Sequence, residues 1–151
     1  PVLSAGGGRE LSTTELVDAY RERLLPRVDI LTPNRGELAR LSPSLLPDTE
    51  RAVALMSLGC QAVLVTGTDD PAPGVPADRV AHTLHAPDQS RQWSWPRLAG
   101  RYHGSGCTMA AFLASRLAVG ESLVMACEQA QVFTWEALAH GWRPGESQAL
   151  P

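Results

Sequence analysis

The chain contains no lysine; all 13 of its basic residues are arginine. That absence excludes the lysine-bearing phosphate loop and Schiff-base chemistry together. With 16 acidic residues and a net charge of −3, the chain has no basic stripe and gives nucleic acid little electrostatic footing. Aromatic residues make up only 5% of the sequence. Cysteine is scarce too: Cys60, Cys107 and Cys127 are far apart, odd in number and free of any C-x-x-C spacing. Neither a disulfide framework nor a zinc site is expected. Cys60 and Cys127 read as small buried hydrophobes, and a reducing cytoplasm is the expected compartment. No apolar run reaches membrane-spanning length, no signal-peptide pattern is present, and no membrane partner is expected.

What is present is an ordinary globular composition, 44% hydrophobic over 151 residues, enough for one domain with a real core. The chain opens on Pro1-Val2-Leu3 without a methionine and enters a strand-like run at 2–5, which suggests the interior of a longer protein whose N-terminal part is missing. Ser12-Thr13-Thr14-Glu15 has capping-box spacing, followed by Leu16, Tyr20 and Leu24 at helical intervals until Pro26. Val28 to Thr32 reads as a strand, and Asn34 opens a short helix bearing Glu37, Leu38 and Leu41. Asp48 is expected to cap a helix with Ala52, Leu55 and Met56 on one face. Ala62-Val63-Leu64-Val65-Thr66 is the clearest strand, continuous and β-branched as in a covered parallel sheet.

A proline- and aspartate-rich loop over 68–79 follows. Alternation at 80–84 and 90–95 then suggests a hairpin or edge strands, with Trp93 and Trp95 on one face. Two helical patterns close the chain, one with Met109, Phe112, Leu113 and Leu117 on its inner side, the other capped by Ser122 and fraying near Gly141. This order predicts an α/β fold with a mainly parallel sheet and helices on both faces. Ligands of such sheets bind beyond the carboxyl ends of strands. Three loops qualify: after Leu31, after Val65, and at Gly104.

The last of these, His103-Gly104-Ser105-Gly106-Cys107-Thr108, is the strongest local signal. Two glycines about a serine at a helix start allow close backbone approach to an anion, best a phosphate. A cysteine in the first helical turn has its thiolate favoured. The stretch is neither G-x-S-x-G nor G-x-G-x-x-G, so a nucleophile elbow and a dinucleotide site are excluded. A thiol hydrolase using Cys107 with His103 lacks a third orienting group. Asn34-Arg35-Gly36-Glu37 fits a second capping box; it also sets a carboxylate beyond a strand end, where it can hold Mg²⁺ or its water. Thr66-Gly67-Thr68-Asp69 could touch a nucleotide phosphate or simply turn the chain.

Taken in order, Thr32-Pro33-Asn34-x-x-Glu37, Gly59-Cys60-x-Ala62-Val63-Leu64-Val65 and His103 to Thr108 resemble the hydroxymethylpyrimidine/phosphomethylpyrimidine kinase family of the ribokinase-like superfamily. The resemblance covers nearly the whole chain, which it presents as 1–151, the C-terminal portion of a single ribokinase-like kinase domain. It implies ATP-dependent phosphorylation of 4-amino-5-hydroxymethyl-2-methylpyrimidine and its monophosphate in thiamine biosynthesis, with a small-molecule pyrimidine as partner and pairing into a homodimer as the superfamily often does. It also implies roles: the backbone of Gly104, Ser105 and Gly106 as an anion hole, Cys107 as base, and Asn34, Thr66, Gly67 and Thr68 on ATP. Glu37 would serve Mg²⁺. Many sugar and pyridoxal kinases of the superfamily carry aspartate where Cys107 stands. Thr66-Gly67-Thr68 replaces the Lys-Gly-Gly of well-known members, removing a charge that lysine would offer to ATP. A pyridoxal or other small-alcohol kinase, or a truncated nucleotide-binding fragment without catalysis, are the competing readings.

Overall fold

The uninterrupted apolar run at 62–65 becomes the central strand. The computed structural model describes residues 1, 3, 12–42, 46–69, 72–142 and 148–151, in two compact units that divide between Ser94 and Trp95. The strand expected at 2–5 and the glycine loop after it lie outside the described residues, apart from Leu3.

In the first unit the order is α1 (Thr14–Ala19), β1 (Ile30–Leu31), α2 (Arg35–Leu41), α3 (Asp48–Ser57), β2 (Ala62–Thr66), β3 (Arg79–Ala86) and β4 (Gln89–Pro96), whose last two residues open the second unit. The sheet order is β1-β2-β3-β4. β1 and β2 are parallel, pairing Ile30 with Ala62 and Leu31 with Val63. β2 and β3 are antiparallel, from Val63 opposite His85 to Thr66 opposite His82. The α/β class holds, but the described sheet is mixed rather than mainly parallel. Helices α2 and α3 carry the chain from β1 back to the start of a parallel β2. The segment from β2 to β3 has no described helix, and a short return makes an antiparallel neighbour. β3 and β4 then form the expected hairpin, turning at Pro87-Asp88.

The core of this unit lies between β2 and the helices packed on it. Leu25, Leu38, Leu41, Leu55 and Val63 are all fully buried. Such side chains contribute about 1.5–3 kcal/mol each. The face of α1 differs from expectation: Leu16 and Leu24 are 52% and 44% exposed, while Val17 and Leu25 are buried. After Ala19 the helix widens into a π turn over Tyr20–Leu24, where the Leu25 N–H reaches back to the Tyr20 carbonyl. That extra residue carries Leu25 rather than Leu24 onto the face of Tyr20; it lies after Leu16 and Val17 and does not set theirs. The cap is Thr13, not Ser12, with Thr13 Oγ1 accepting from Leu16 N at 3.3 Å. Asp48 is the first residue of α3 instead of its cap, and it pairs with Arg35 at 2.5 Å.

The second unit contains α4 (Ser105–Ala118) and α5 (Leu123–Ala139). Their packing includes a stacked Phe112–Phe133 pair with ring centroids 4.3 Å apart. Ser122 caps α5 as expected, its side chain accepting from Met125 N. Trp95 donates from Nε1 to Gln131 Oε1 at 2.9 Å, and Trp135 donates to the Pro96 carbonyl at 2.9 Å. Both bonds tie the end of β4 to α5. The last helix stops at Ala139, short of Trp142, because Trp142 exchanges both backbone hydrogen bonds with Leu150.

Candidate functional site

In the first unit, Asn34 sits at the end of β1 and caps α2. Its Oδ1 accepts from Glu37 N at 2.8 Å, while Glu37 Oε2 accepts from Asn34 N at 3.0 Å. The capping box is therefore real. Glu37 does more than cap: it is buried, and its Oε1 accepts from Leu3 N at 3.3 Å. The Leu3 carbonyl in turn accepts from Arg40 Nη1 and from Ser12 Oγ, both at 3.1 Å. One buried carboxylate and one guanidinium thus hold residue 3 from both sides.

The loop after β2 meets the same turn. Thr66 forms a parallel bridge with Asn34, and its N–H donates to the Pro33 carbonyl at 2.9 Å. Asn34 Nδ2 donates to Asp69 Oδ2 at 3.2 Å. Gly67 is buried where any side chain would collide with β3, a Cβ there lying 2.5 Å from the Ala81 carbonyl oxygen. Its N–H points at His82 Nδ1, 3.4 Å away. Burial pushes the His82 imidazole down to about 4. Of the residues expected from sequence, Asn34, Glu37, Thr66 and Gly67 are brought together, with Thr68 exposed beside them.

The second unit contains the glycine turn. Gly104 adopts a left-handed conformation, φ 88°, and stands at the N-cap of α4. A residue with a Cβ would be strained there. The first bond of the helix runs from Thr108 N to the Gly104 carbonyl at 2.9 Å. The N–H groups of Ser105, Gly106 and Cys107 therefore have no acceptor within the helix, no side chain caps them, and they lie at its positive end. Cys107 is exposed in this first turn, whereas Cys60 and Cys127 are buried, which pushes their thiols up to about 11 and about 12. Two inert thiols and one accessible thiol is the division expected.

Three participants are brought in by long-range pairing. Asp69, the last residue of the Thr66-Gly67-Thr68-Asp69 turn, reaches Asn34 because β1 and β2 run parallel into the Asn34–Thr66 bridge, and His82 reaches Gly67 because β2 and β3 pair as they do. The third is the segment 149–151: His103 N donates to the Ala149 carbonyl and Ala149 N to the Arg101 carbonyl, both at 2.9 Å. Tyr102 and Ala149 form a parallel bridge, so this segment braces the approach to Gly104. Among the described residues, no group of three or more His, Cys, Asp or Glu side chains could hold a metal by itself.

The family profile for phosphomethylpyrimidine kinase matches residues 1–151. The chain belongs to this family. It is 34% identical over 149 residues to the thiamine biosynthetic bifunctional enzyme TH1, chloroplastic, of Arabidopsis thaliana, an alignment covering 91% of the chain and 27% of that protein. It is 30% identical over 164 residues to the hydroxymethylpyrimidine/phosphomethylpyrimidine kinase of Haemophilus influenzae, covering 97% of the chain and 56% of the kinase. Among solved structures, the pyridoxal kinase of Staphylococcus aureus in complex with AMP-PCP matches with a TM-score of 0.82 at 25% identity, over 93% of the chain and 52% of that structure. The ribokinase-like α/β class is thereby established. The chain spans roughly half the length of the bacterial relative and about a quarter of the plant one.

Proposed function

We propose that the chain carries the phosphoryl-handling portion of an ATP-dependent kinase acting on hydroxymethylpyrimidine and then on its monophosphate, in thiamine biosynthesis. The observation that carries this reading is the start of α4: a left-handed Gly104, helix-end N–H groups and an exposed thiol within one turn. Phosphoryl transfer demands positioning and charge stabilisation more than covalent chemistry, and this turn supplies both.

In this reading the backbone N–H groups of Gly104, Ser105 and Gly106 hold the charge that gathers on the γ-phosphoryl oxygens. Cys107 is the base that accepts the proton of the substrate's hydroxymethyl group while that oxygen bonds to γ-phosphorus and ADP leaves. Asn34, Thr66, Gly67 and Thr68 contact ATP. Glu37 serves Mg²⁺: each carboxylate oxygen accepts a single backbone N–H, leaving lone pairs for water on a hard, hydrated ion. When bound, Mg²⁺ neutralises charge on the phosphates. Three free cysteines suit a reducing cytoplasm.

A second reading, phosphorylation of pyridoxal, is favoured by the match to the Staphylococcus aureus pyridoxal kinase. ATP turnover assayed with hydroxymethylpyrimidine and with pyridoxal separates the two. Turnover of the pyrimidine supports the first reading. Turnover of pyridoxal alone overturns it, and turnover of neither points to a nucleotide-binding module without catalysis.

A further inference from the structure

The loop after β2 turns away from the sheet with its backbone buried at Gly67, so the N–H of that residue needs an acceptor. A side chain of β3 supplies it, His82 Nδ1 at 3.4 Å. Thr66 and His82 are register partners across β2 and β3, and the His82 ring extends one residue further to receive the Gly67 N–H. On the opposite side the Thr66 N–H is taken by the Pro33 carbonyl. The Ala81 carbonyl oxygen leaves no room for a Cβ at Gly67. The backbone N–H groups at 66–67 are thus held on two sides, one by a backbone carbonyl and one by a side chain.

We propose that His82 is a positioning residue for the nucleotide, its Nδ1 accepting the Gly67 N–H and so setting the path of Thr66-Gly67-Thr68. This deepens the proposed function and rests on the reading that this loop contacts ATP. An imidazole that accepts at Nδ1 must carry its single proton on Nε2, because a protonated ring has no acceptor left. Burial favours the neutral ring, so the acceptor persists at neutral pH. Asparagine can reproduce the arrangement, since its Oδ1 stands as many bonds from the backbone as histidine Nδ1 does. Leucine fills similar space and accepts nothing.

The test uses the whole chain, with AMP-PCP and Mg²⁺ as the calorimetric probe and two substitutions, His82→Leu and His82→Asn. A lost hydrogen bond to a buried donor predicts AMP-PCP binding weakened about tenfold in His82→Leu. His82→Asn should restore affinity to within about twofold of the unsubstituted chain, on the same reasoning. Protection of the Gly67 amide from hydrogen exchange should follow the same order. Nitrogen chemical shifts of the unsubstituted protein supply a readout that needs no variant and should show the Nε2–H tautomer. An Nδ1–H tautomer, or undiminished AMP-PCP affinity in His82→Leu, overturns the positioning role. Failure of the unsubstituted chain to bind AMP-PCP overturns instead the nucleotide reading beneath it.

Discussion

Asn34 donates from Nδ2 to Oδ2 of Asp69 at 3.2 Å, joining the turn after β1 to the loop after β2 across 35 residues of sequence. The same Asn34 side chain accepts the Glu37 N–H through Oδ1. Its amide is thus spent on one task inside the helix cap and one outside. Asp69→Ala removes only the second. Because Asp69 is exposed, its loss should leave the melting temperature within a degree or two while weakening binding of Mg²⁺–AMP-PCP several-fold. Asn34→Ala removes both tasks and should in addition cost about 1 kcal/mol of stability, the usual worth of an N-cap. Calorimetry beside thermal melts checks the split. Equal nucleotide affinity in Asp69→Ala and the unsubstituted chain would show the contact to be ornamental.

Cys107 is exposed and stands in the first turn of α4, so replacing it disturbs little packing. Cys107→Ala should melt where the unsubstituted protein does. If the thiolate is the base, turnover in the active kinase should fall by about 10²–10⁴-fold, with nucleotide affinity unchanged. Single-turnover phosphorylation of the pyrimidine measures this directly. Near-normal turnover would remove Cys107 from the mechanism and leave the backbone N–H groups as the whole of it.

Stability should fall with acid in a window set by two imidazoles, His85 buried and His82 partly buried. Burial lowers the His82 pKa to about 4 from the ordinary 6.5, and lowers that of His85 as well, against a smaller opposing pull from Asp48. The unfolded chain therefore takes up protons that the folded one refuses. The penalty is negligible well above pH 6.5; it grows as pH falls through 6.5 and levels off near 4, when folded His82 protonates too. For His82 the full effect is about 3 kcal/mol. Urea midpoints taken between pH 7.5 and 4.5 should drop, and His82→Asn should flatten part of the decline. Parallel curves for the two proteins would show that the ring is charged or exposed in the folded state.

The sequence made the strand at 62–66 and both later helices legible because each has one dominant signal: an unbroken β-branched run, or apolar spacing closed by a cap. The Asn34–Glu37 turn was legible twice over, as a capping box and as a carboxylate beyond a strand end, and the structure shows the first without removing the second. The inner face of α1 was not legible. A single π turn at Tyr20–Leu24 carries Leu25 rather than Leu24 onto the face of Tyr20, which ideal helical spacing does not foretell, and no local signal marks Val17 rather than Leu16 as the inner residue. Asp69 was legible only as the end of the Thr66-Gly67-Thr68-Asp69 turn; its bond to Asn34 comes from the parallel β1–β2 pairing, and His82 meets Gly67 through the β2–β3 register, long-range properties with no local mark. The bracing of Gly104 by residues 149–151 is hidden for the same reason.

That bracing makes a last claim about Gly141, which sits just past α5 with no unusual φ of its own. A Cβ at this position would lie 2.5 Å from the Leu150 carbonyl oxygen and 3.0 Å from that of Leu138, both backbone atoms that cannot swing aside. Gly141→Ala should therefore push Leu150 outward and break its two hydrogen bonds with Trp142. Ala149 is the next residue, and it pairs with Arg101 and His103 immediately before the left-handed Gly104. Overpacking of this kind costs about 1–3 kcal/mol when the structure yields. Early loss of hydrogen-exchange protection is expected at the amides of Ala149, Leu150 and His103, with α5 itself protected as before. If the Gly104 turn holds the transferring phosphoryl group and Asn34 and Thr66 to Thr68 contact ATP, as proposed, the expected signature in the active kinase is a lowered kcat with little change in the KM for ATP, because Asn34 and Thr66 to Thr68 keep their own supports. A Gly141→Ala protein whose His103 amide exchanges as slowly as the unsubstituted one would show that the glycine turn holds its shape without the segment beside it.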